Sequence, residues 1–412
     1  MFKRSWSCVL AVWLMLGACV AQSVSRGSGQ PKIRTVTAFL RMDRVSYRAQ
    51  VADALRLLRA AQQEFNNAGY EVETIRITTQ PFTAIARGLR RPDALAFFRD
   101  YDNMAQQEGF TADIGPAMLH DSDDPEQAEM LAQIIANSRN LNGFVVVADA
   151  AGIHWNAIHE AARVNRYLAD HTDHGEGNFR FAAAAFPPMN APFFPVSYTQ
   201  DAGHGFAIGI ESAGIVNHAF ASANGDLNVA SDRLTTVLGA EAKRVEEIAR
   251  KLERQYGWKY QGIDMTPVPL KDVSIGAAFE SLLQAPMGSP GTLSVAYTIT
   301  SAIHRIPVLQ TGYSGLMLPV MEDSVLAQRW EAGRINRDSL LSYSAVCSAG
   351  LDAVPLPGDV PEQVIESIIA DMASLAYKWR KPLSARLLPA PGRKVGEMTD
   401  FPSQYLINIR IR

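Results

Sequence analysis

Short apolar runs alternate with stretches of helical periodicity over nearly the whole chain. The runs Ile33–Leu40, Val72–Thr78, Ala112–Met118, Gly143–Val147 and Phe179–Ala185 read as strands. So do Gly205–Ile210, Tyr260–Met265, Leu316–Met321, Leu341–Val346, Leu383–Leu388 and Tyr405–Ile411. Between them, Ala49–Phe65, Glu126–Ile135, Asn156–Tyr167, Arg233–Tyr256, Leu326–Glu331 and Pro361–Ala376 carry apolar residues at the spacing of one helix face. Strands that alternate with helices predict βαβ units and a mainly parallel sheet. About ten such units with no long linker favour one large α/β barrel over residues 33–412. Two doubly wound halves joined near His171–Asn178 are the alternative.

The N-terminus adds a compartment. Met1 to Arg4 is basic, and Trp6 to Leu16 is apolar but too short to span a bilayer, which predicts a cleaved signal over residues 1–18. Leu16-Gly-Ala-Cys19 resembles a bacterial lipobox, so Cys19 is expected to carry lipid and residues 19–32 to serve as a flexible tether. The chain is then a lipoprotein on the periplasmic side, held at the outer membrane through Cys19, because no acidic residue follows the cysteine. An ordinary signal cut nearby is the alternative. With Cys8 removed and Cys19 acylated, Cys347 is the one remaining thiol and no internal disulfide forms. The 39 basic and 42 acidic residues, net charge −3 and no basic tract, argue against a nucleic-acid partner.

Several signatures are excluded. No phosphate loop is present, and Gly203-His-Gly-Phe-Ala-Ile-Gly209 has the wrong spacing and position for a dinucleotide fingerprint. His159-Glu-Ala-Ala-Arg163 lacks the second histidine of a zinc-protease helix. Gly312-Tyr-Ser-Gly-Leu316 lacks the last glycine of a nucleophile elbow. What survives is a set of charged residues at the ends of apolar runs: Glu211, Asp264, Glu322 and Asp323, with Glu280 on a following helix. The segment Ser342–Asp359 adds Cys347, Asp352 and Asp359, and the last barrel unit adds Lys381 and Arg386. In a parallel barrel the strand ends converge on one mouth. There Cys347, Asp352, Asp264 and Glu211 are the expected catalytic groups, and Lys381, Arg386, Asp359 and Glu280 the expected substrate contacts. Such acids act as a general acid/base pair or hold a divalent cation, and Arg386 suits an anion. Each has a plainer reading: Asp264, Glu211 and Asp359 as helix caps, and Cys347 as a buried small apolar residue.

Three long blocks carry a resemblance. Leu340 to Asp359, Gly312 to Asp323 and Lys381 to Gly392, with Gly209-Ile-Glu-Ser212 and Gly262-Ile-Asp264, resemble the domain-of-unknown-function 711 family from about Ile33 onward. The resemblance implies a ten-stranded α/β barrel of the pyruvate formate-lyase type and no established reaction. Leu309 stands where a glycyl-radical loop has arginine, so radical chemistry is not implied. Export, and Ser348-Ala349 after the cysteine, depart from the family pattern. The expected function is therefore an exported enzyme acting on a small polar or anionic metabolite; a ligand-binding lipoprotein without chemistry and a structural scaffold are the alternatives.

Overall fold

A computed structural model describes residues 31–347 and 349–412, so the signal segment, Cys19 and nearly all of the tether lie outside the described residues. The strands are β1 (Lys32–Leu40), β2 (Val72–Thr79), β3 (Thr111–Ala117), β4 (Leu141–Ala148), β5 (Phe181–Ala185), β6 (Gly205–Glu211), β7 (Lys259–Asp264), β8 (Gly350–Pro357) and β9 (Leu383–Ala390). They form one nine-stranded sheet in the order β7-β6-β1-β2-β3-β4-β5-β9-β8. Strands β1 to β5 run parallel. So do β6 with β7 and β8 with β9, but β6 is antiparallel to β1 and β9 is antiparallel to β5. The protein is thus a mixed α/β fold.

Alternation along the strands separates two faces. Val36, Ala38 and Leu40 of β1 and Ile75 and Ile77 of β2 join a core with Leu57, Leu58 and Phe65 of the helix Tyr47–Asn67. Phe144, Val146, Ala182 and Ala184 point the other way. They pack on the connection between β5 and β6, through Ala191, Phe193, Val196 and Tyr198. Each such buried aromatic or aliphatic side chain contributes about 1.5–3 kcal/mol. This connection fills part of the helix-free, inner face and leaves the rest polar.

The strand predictions from Ile33–Leu40 to Tyr260–Met265 and at Leu383–Leu388 match strands. Leu341–Val346 does not: it falls in the helix Arg337–Ser344, started by a capping box in which Asn336 Oδ1 accepts from the Ser339 amide at 2.9 Å. The strand instead follows as β8, whose Pro355 and Pro357 a sheet tolerates only because β8 is an edge. Tyr405–Ile411 contributes a single bridge, Arg410 to Met398, and Leu316–Met321 another, Pro319 to Asp352.

The sheet is consequently open, with β7 and β8 as its edges, where a closed ten-stranded barrel is expected. The chain from Leu309 to Asp323 bonds to both edges without becoming a strand. Ile263 of β7 donates to Leu309 O at 2.8 Å, and Val320 donates to Asp352 O of β8 at 3.1 Å. Asp264 clamps this segment, accepting from the Tyr313 amide at 3.0 Å, the Ser314 amide at 3.1 Å and the Thr266 amide at 2.9 Å. The close approach needs a glycine. Gly312 has φ +67°, and a Cβ there would meet Asp264 Oδ2 at 2.1 Å. Gly312→Ala is therefore expected to cost about 2 kcal/mol or more in urea unfolding; an unchanged midpoint would contradict the clamp.

Candidate functional site

The two antiparallel junctions decide where the strand ends go. Glu211, at the carboxyl end of β6, pairs with Lys32 at the amino end of β1. One mouth therefore gathers the carboxyl ends of β6 and β7 with the amino ends of β1 to β5, instead of carboxyl ends alone. A cavity of about 990 Å³ opens there, lined by Arg34, Glu73, Arg76, Arg180, Arg386 and Tyr405 among others. It meets a small inner chamber that shares Arg34, Arg76, Phe194 and Arg386 and reaches Asp264 and Glu322.

The inner face at this mouth is a network of charges. Buried Arg386 donates through Nε to Asp352 Oδ1 at 2.6 Å and through Nη2 to Glu322 Oε1 at 2.5 Å, with its guanidinium carbon 4.5 Å from the Phe179 ring centre. These two acids hold the Arg386 guanidinium above its ordinary value against the opposing effect of burial. Arg34 lies 3.4 Å from Glu211, 3.8 Å from Glu73 and 3.8 Å from Glu322. Glu211 is 6 % exposed. Burial, then the Glu73 charge, push its carboxyl up to about 7, while Arg34 and Lys32 pull the other way. Glu211, beside Glu73, thus holds a proton near neutral pH.

Arg76 differs from its neighbours. Its Nε donates to Thr74 Oγ1 at 3.1 Å, its guanidinium lies 4.7 Å from the Phe194 ring centre, and among the described residues no carboxylate comes within 4 Å. Burial, then repulsion from Arg34, bring it down to about 9, so it remains charged at neutral pH. Asp113, on the adjacent β3, has its carboxyl pushed up by burial, while the Gly115 amide and Arg76 pull the other way.

Four predicted site residues converge here: Glu211, Asp264, Asp352 and Arg386. Four do not. Cys347 precedes β8 and Lys381 precedes β9, which puts both at the far end of the sheet from the cavity. The Cys347 thiol is 2 % exposed and burial pushes its pKa up, so it is a core side chain and no activated nucleophile. Lys381 is no anion clamp: its ammonium donates to the Ser344 and Cys347 carbonyls and ties off the preceding helix. Glu280 pairs with Arg329 at 2.8 Å and caps the Met287 amide, away from the cavity lining. Asp359 is exposed and neither lines the cavity nor caps a helix. Glu322 and Asp323 diverge: Glu322 faces the network, while Asp323 caps the helices starting at Ile275 and Ser324, accepting from the Ile275 amide at 2.7 Å and the Val325 amide at 2.9 Å. The acids at the mouth are bridged by arginines. Among the described residues, the one group of donors close enough for a cation is His159, Glu362 and Glu366, on the helical layer.

A family model described as uncharacterised ACR (DUF711) matches residues 28–403. The chain belongs to the DUF711 family. Among its relatives are UPF0210 proteins of Pyrobaculum islandicum, 27% identical over 85% of this chain and 80% of the relative, and of Methanococcoides burtonii, 24% identical over 84% and 80%. Another, from Carboxydothermus hydrogenoformans, is 25% identical over 81% of this chain and 77% of its own. The three sequence blocks of the DUF711 resemblance have distinct physical duties in this fold. The Gly312 to Asp323 block spans the sheet edges, the Lys381 to Gly392 block carries Arg386, and the Leu340 to Asp359 block carries Asp352.

Arg34, Glu73, Arg76 and Arg180 are the site residues that sequence reasoning passed over. Their signal is a charged residue in the interior of an apolar run, as in Val72-Glu-Thr-Ile-Arg-Ile-Thr-Thr79, and not at the carboxyl end of one. The raised Glu211 carboxyl has a measurable consequence. A carboxyl whose pKa rises from 4.5 to about 7 on folding favours the native state at low pH and loses that contribution as pH climbs between those values. The loss is roughly 2–3 kcal/mol. Urea unfolding from pH 4.5 to 8 should show this decline in the wild type and a flatter profile in Glu211→Gln; parallel profiles would contradict the raised carboxyl.

Proposed function

We propose that this protein is an acid–base enzyme acting on a small anionic metabolite held at the charged mouth. The observation that carries the reading is Arg76: a mostly buried guanidinium facing a cavity, with no carboxylate within 4 Å among the described residues, on the same mouth as Glu211, whose carboxyl keeps a proton near neutrality. A buried cation without a counter-ion is costly, and an anionic ligand relieves that cost. Arg76 binds the anion through a planar fork. Glu211 and Glu73 exchange a proton with the bound molecule, directly or through water, and Arg34 positions both carboxyls. Arg386, saturated by Asp352 and Glu322, acts as the rigid support.

In the same reading, Leu309–Asp323 serves as the tenth element of a barrel-like wall, because it bonds to β7 and to β8. Export and a lipid anchor at Cys19 belong to the proposal on the sequence grounds already given, and would set the mouth in the periplasmic space.

The test is a thermal-shift and turnover screen of metabolite anions, with inorganic phosphate and glutarate as reference probes. Wild type should be stabilised by several degrees at millimolar anion. Arg76→Gln should lose the shift, and Glu211→Gln should keep it while turning nothing over. Equal shifts in wild type and Arg76→Gln would sink the binding site, and binding without turnover by any member would leave a ligand-binding protein in place of an enzyme.

A further inference from the structure

The cavity is larger than one anionic group requires, and its far wall carries cations of its own. Arg180 precedes β5 and is fixed by two bonds from Nη1, to Ser138 Oγ at 3.1 Å and to Leu141 O at 2.9 Å. Its Nε and Nη2 have no protein acceptor within hydrogen-bond distance among the described residues, and no carboxylate there comes within 4 Å. Burial lowers it to about 10, so it too is charged at neutral pH. Exposed Arg139 lines the same wall and also has no ion-pair partner among the described residues. Of the acids on this wall, Asp173 is exposed and Glu176 half-buried; both lie beyond 4 Å from the two arginines.

The sheet sets the spacing. Arg76 of β2 is level with Thr111 of β3, and Asn142 of β4 is one residue from the Gly143–Phe181 pair that leads back to Arg180. Three strand spacings of about 4.8 Å, with a two-residue offset of about 6.6 Å along the strands, put the two arginine backbones about 16 Å apart. The stretch between them offers Thr111, Asn140 and Asn142, polar but uncharged. Arg76 is held at Thr74 and Phe194 and Arg180 at Ser138 and Leu141, so the two forks sit on separate parts of the cavity wall, and Arg76 alone of the two also lines the inner chamber. A molecule with a charge at each end and a polar or aliphatic middle can meet both.

We infer that the ligand is a dianion bearing charges at opposite ends, one bound by Arg76 and the other by Arg180 with Arg139 beside it. This deepens the reading of Arg76 as the anion site and rests on it. Dicarboxylates and phosphorylated carboxylic acids are the classes that fit.

The experiment is calorimetric titration of the full chain with malonate through adipate against acetate through valerate. Wild type should bind one dicarboxylate length at least 10-fold more tightly than the matching monocarboxylate. Arg180→Gln should bring that dicarboxylate down to the monocarboxylate level and leave monocarboxylate binding within about 2-fold, since Arg76 is untouched. Because Arg180 also ties the backbone, Arg139→Gln gives an independent reading with an expected 2- to 5-fold loss confined to dicarboxylates, with circular dichroism confirming the fold. A dicarboxylate preference unchanged in both variants would overturn the two-ended ligand while leaving the Arg76 site intact. Loss of all anion binding in Arg76→Gln alone, with mono- and dicarboxylates bound equally by wild type, would do the same. No binding of either series by wild type would overturn both readings.

Discussion

Arg386 is buried between Asp352 and Glu322, and the mouth depends on that pairing. Taking three charges out of water is costly unless geometry and hydrogen bonding compensate. Here the guanidinium bonds to an acid from β8 on one side and to an acid from the Leu309–Asp323 segment on the other. It thereby joins β9, its parallel neighbour and the chain that runs between the two sheet edges. Losing either acid would leave a buried charge uncompensated, so the three residues stand or fall together.

The same constraint explains the rest of the inner face. Arg34 is shared among Glu73, Glu211 and Glu322; Glu322 also has Arg386 and Glu73 also has Lys32, which leaves Glu211 with a shared cation alone. Burial and mutual repulsion then raise Glu211, and the excess is met by a retained proton. Arg76 stands apart from these pairs and keeps its charge. A site with one proton held among acids and one cation held open has the two elements that proton transfer to a bound anion requires. The apolar plug of Phe193, Val196 and Tyr198 behind it limits the water that can screen either.

Much of this was legible in the residues and some was not. The short apolar runs located the strands of the sheet core, because strands buried on both faces leave a continuous apolar signal. The edge strand β8 was hidden because Pro355 and Pro357 imitate a loop, while Leu341, Tyr343 and Val346 imitate a strand at the end of a helix. Direction was the larger omission. Apolar periodicity says nothing of whether neighbouring strands run parallel, so the antiparallel β1–β6 and β5–β9 pairs could not be read. That moved Cys347 and Lys381 to the wrong end and hid Arg34 and Arg76 at the right one. The family blocks were identified correctly, yet long similarity over Cys347 marked packing around a buried thiol as much as chemistry.

The most direct measurement is a crystal structure grown or soaked with selenate, phased at the selenium edge to locate the anion. The expected result is an anomalous peak within hydrogen-bond reach of the Arg76 guanidinium, inside the cavity, with Arg386 still bound to Asp352 and Glu322. A cavity without selenate, and Arg76 paired instead to a carboxylate of this chain, would contradict the charged mouth as an anion site.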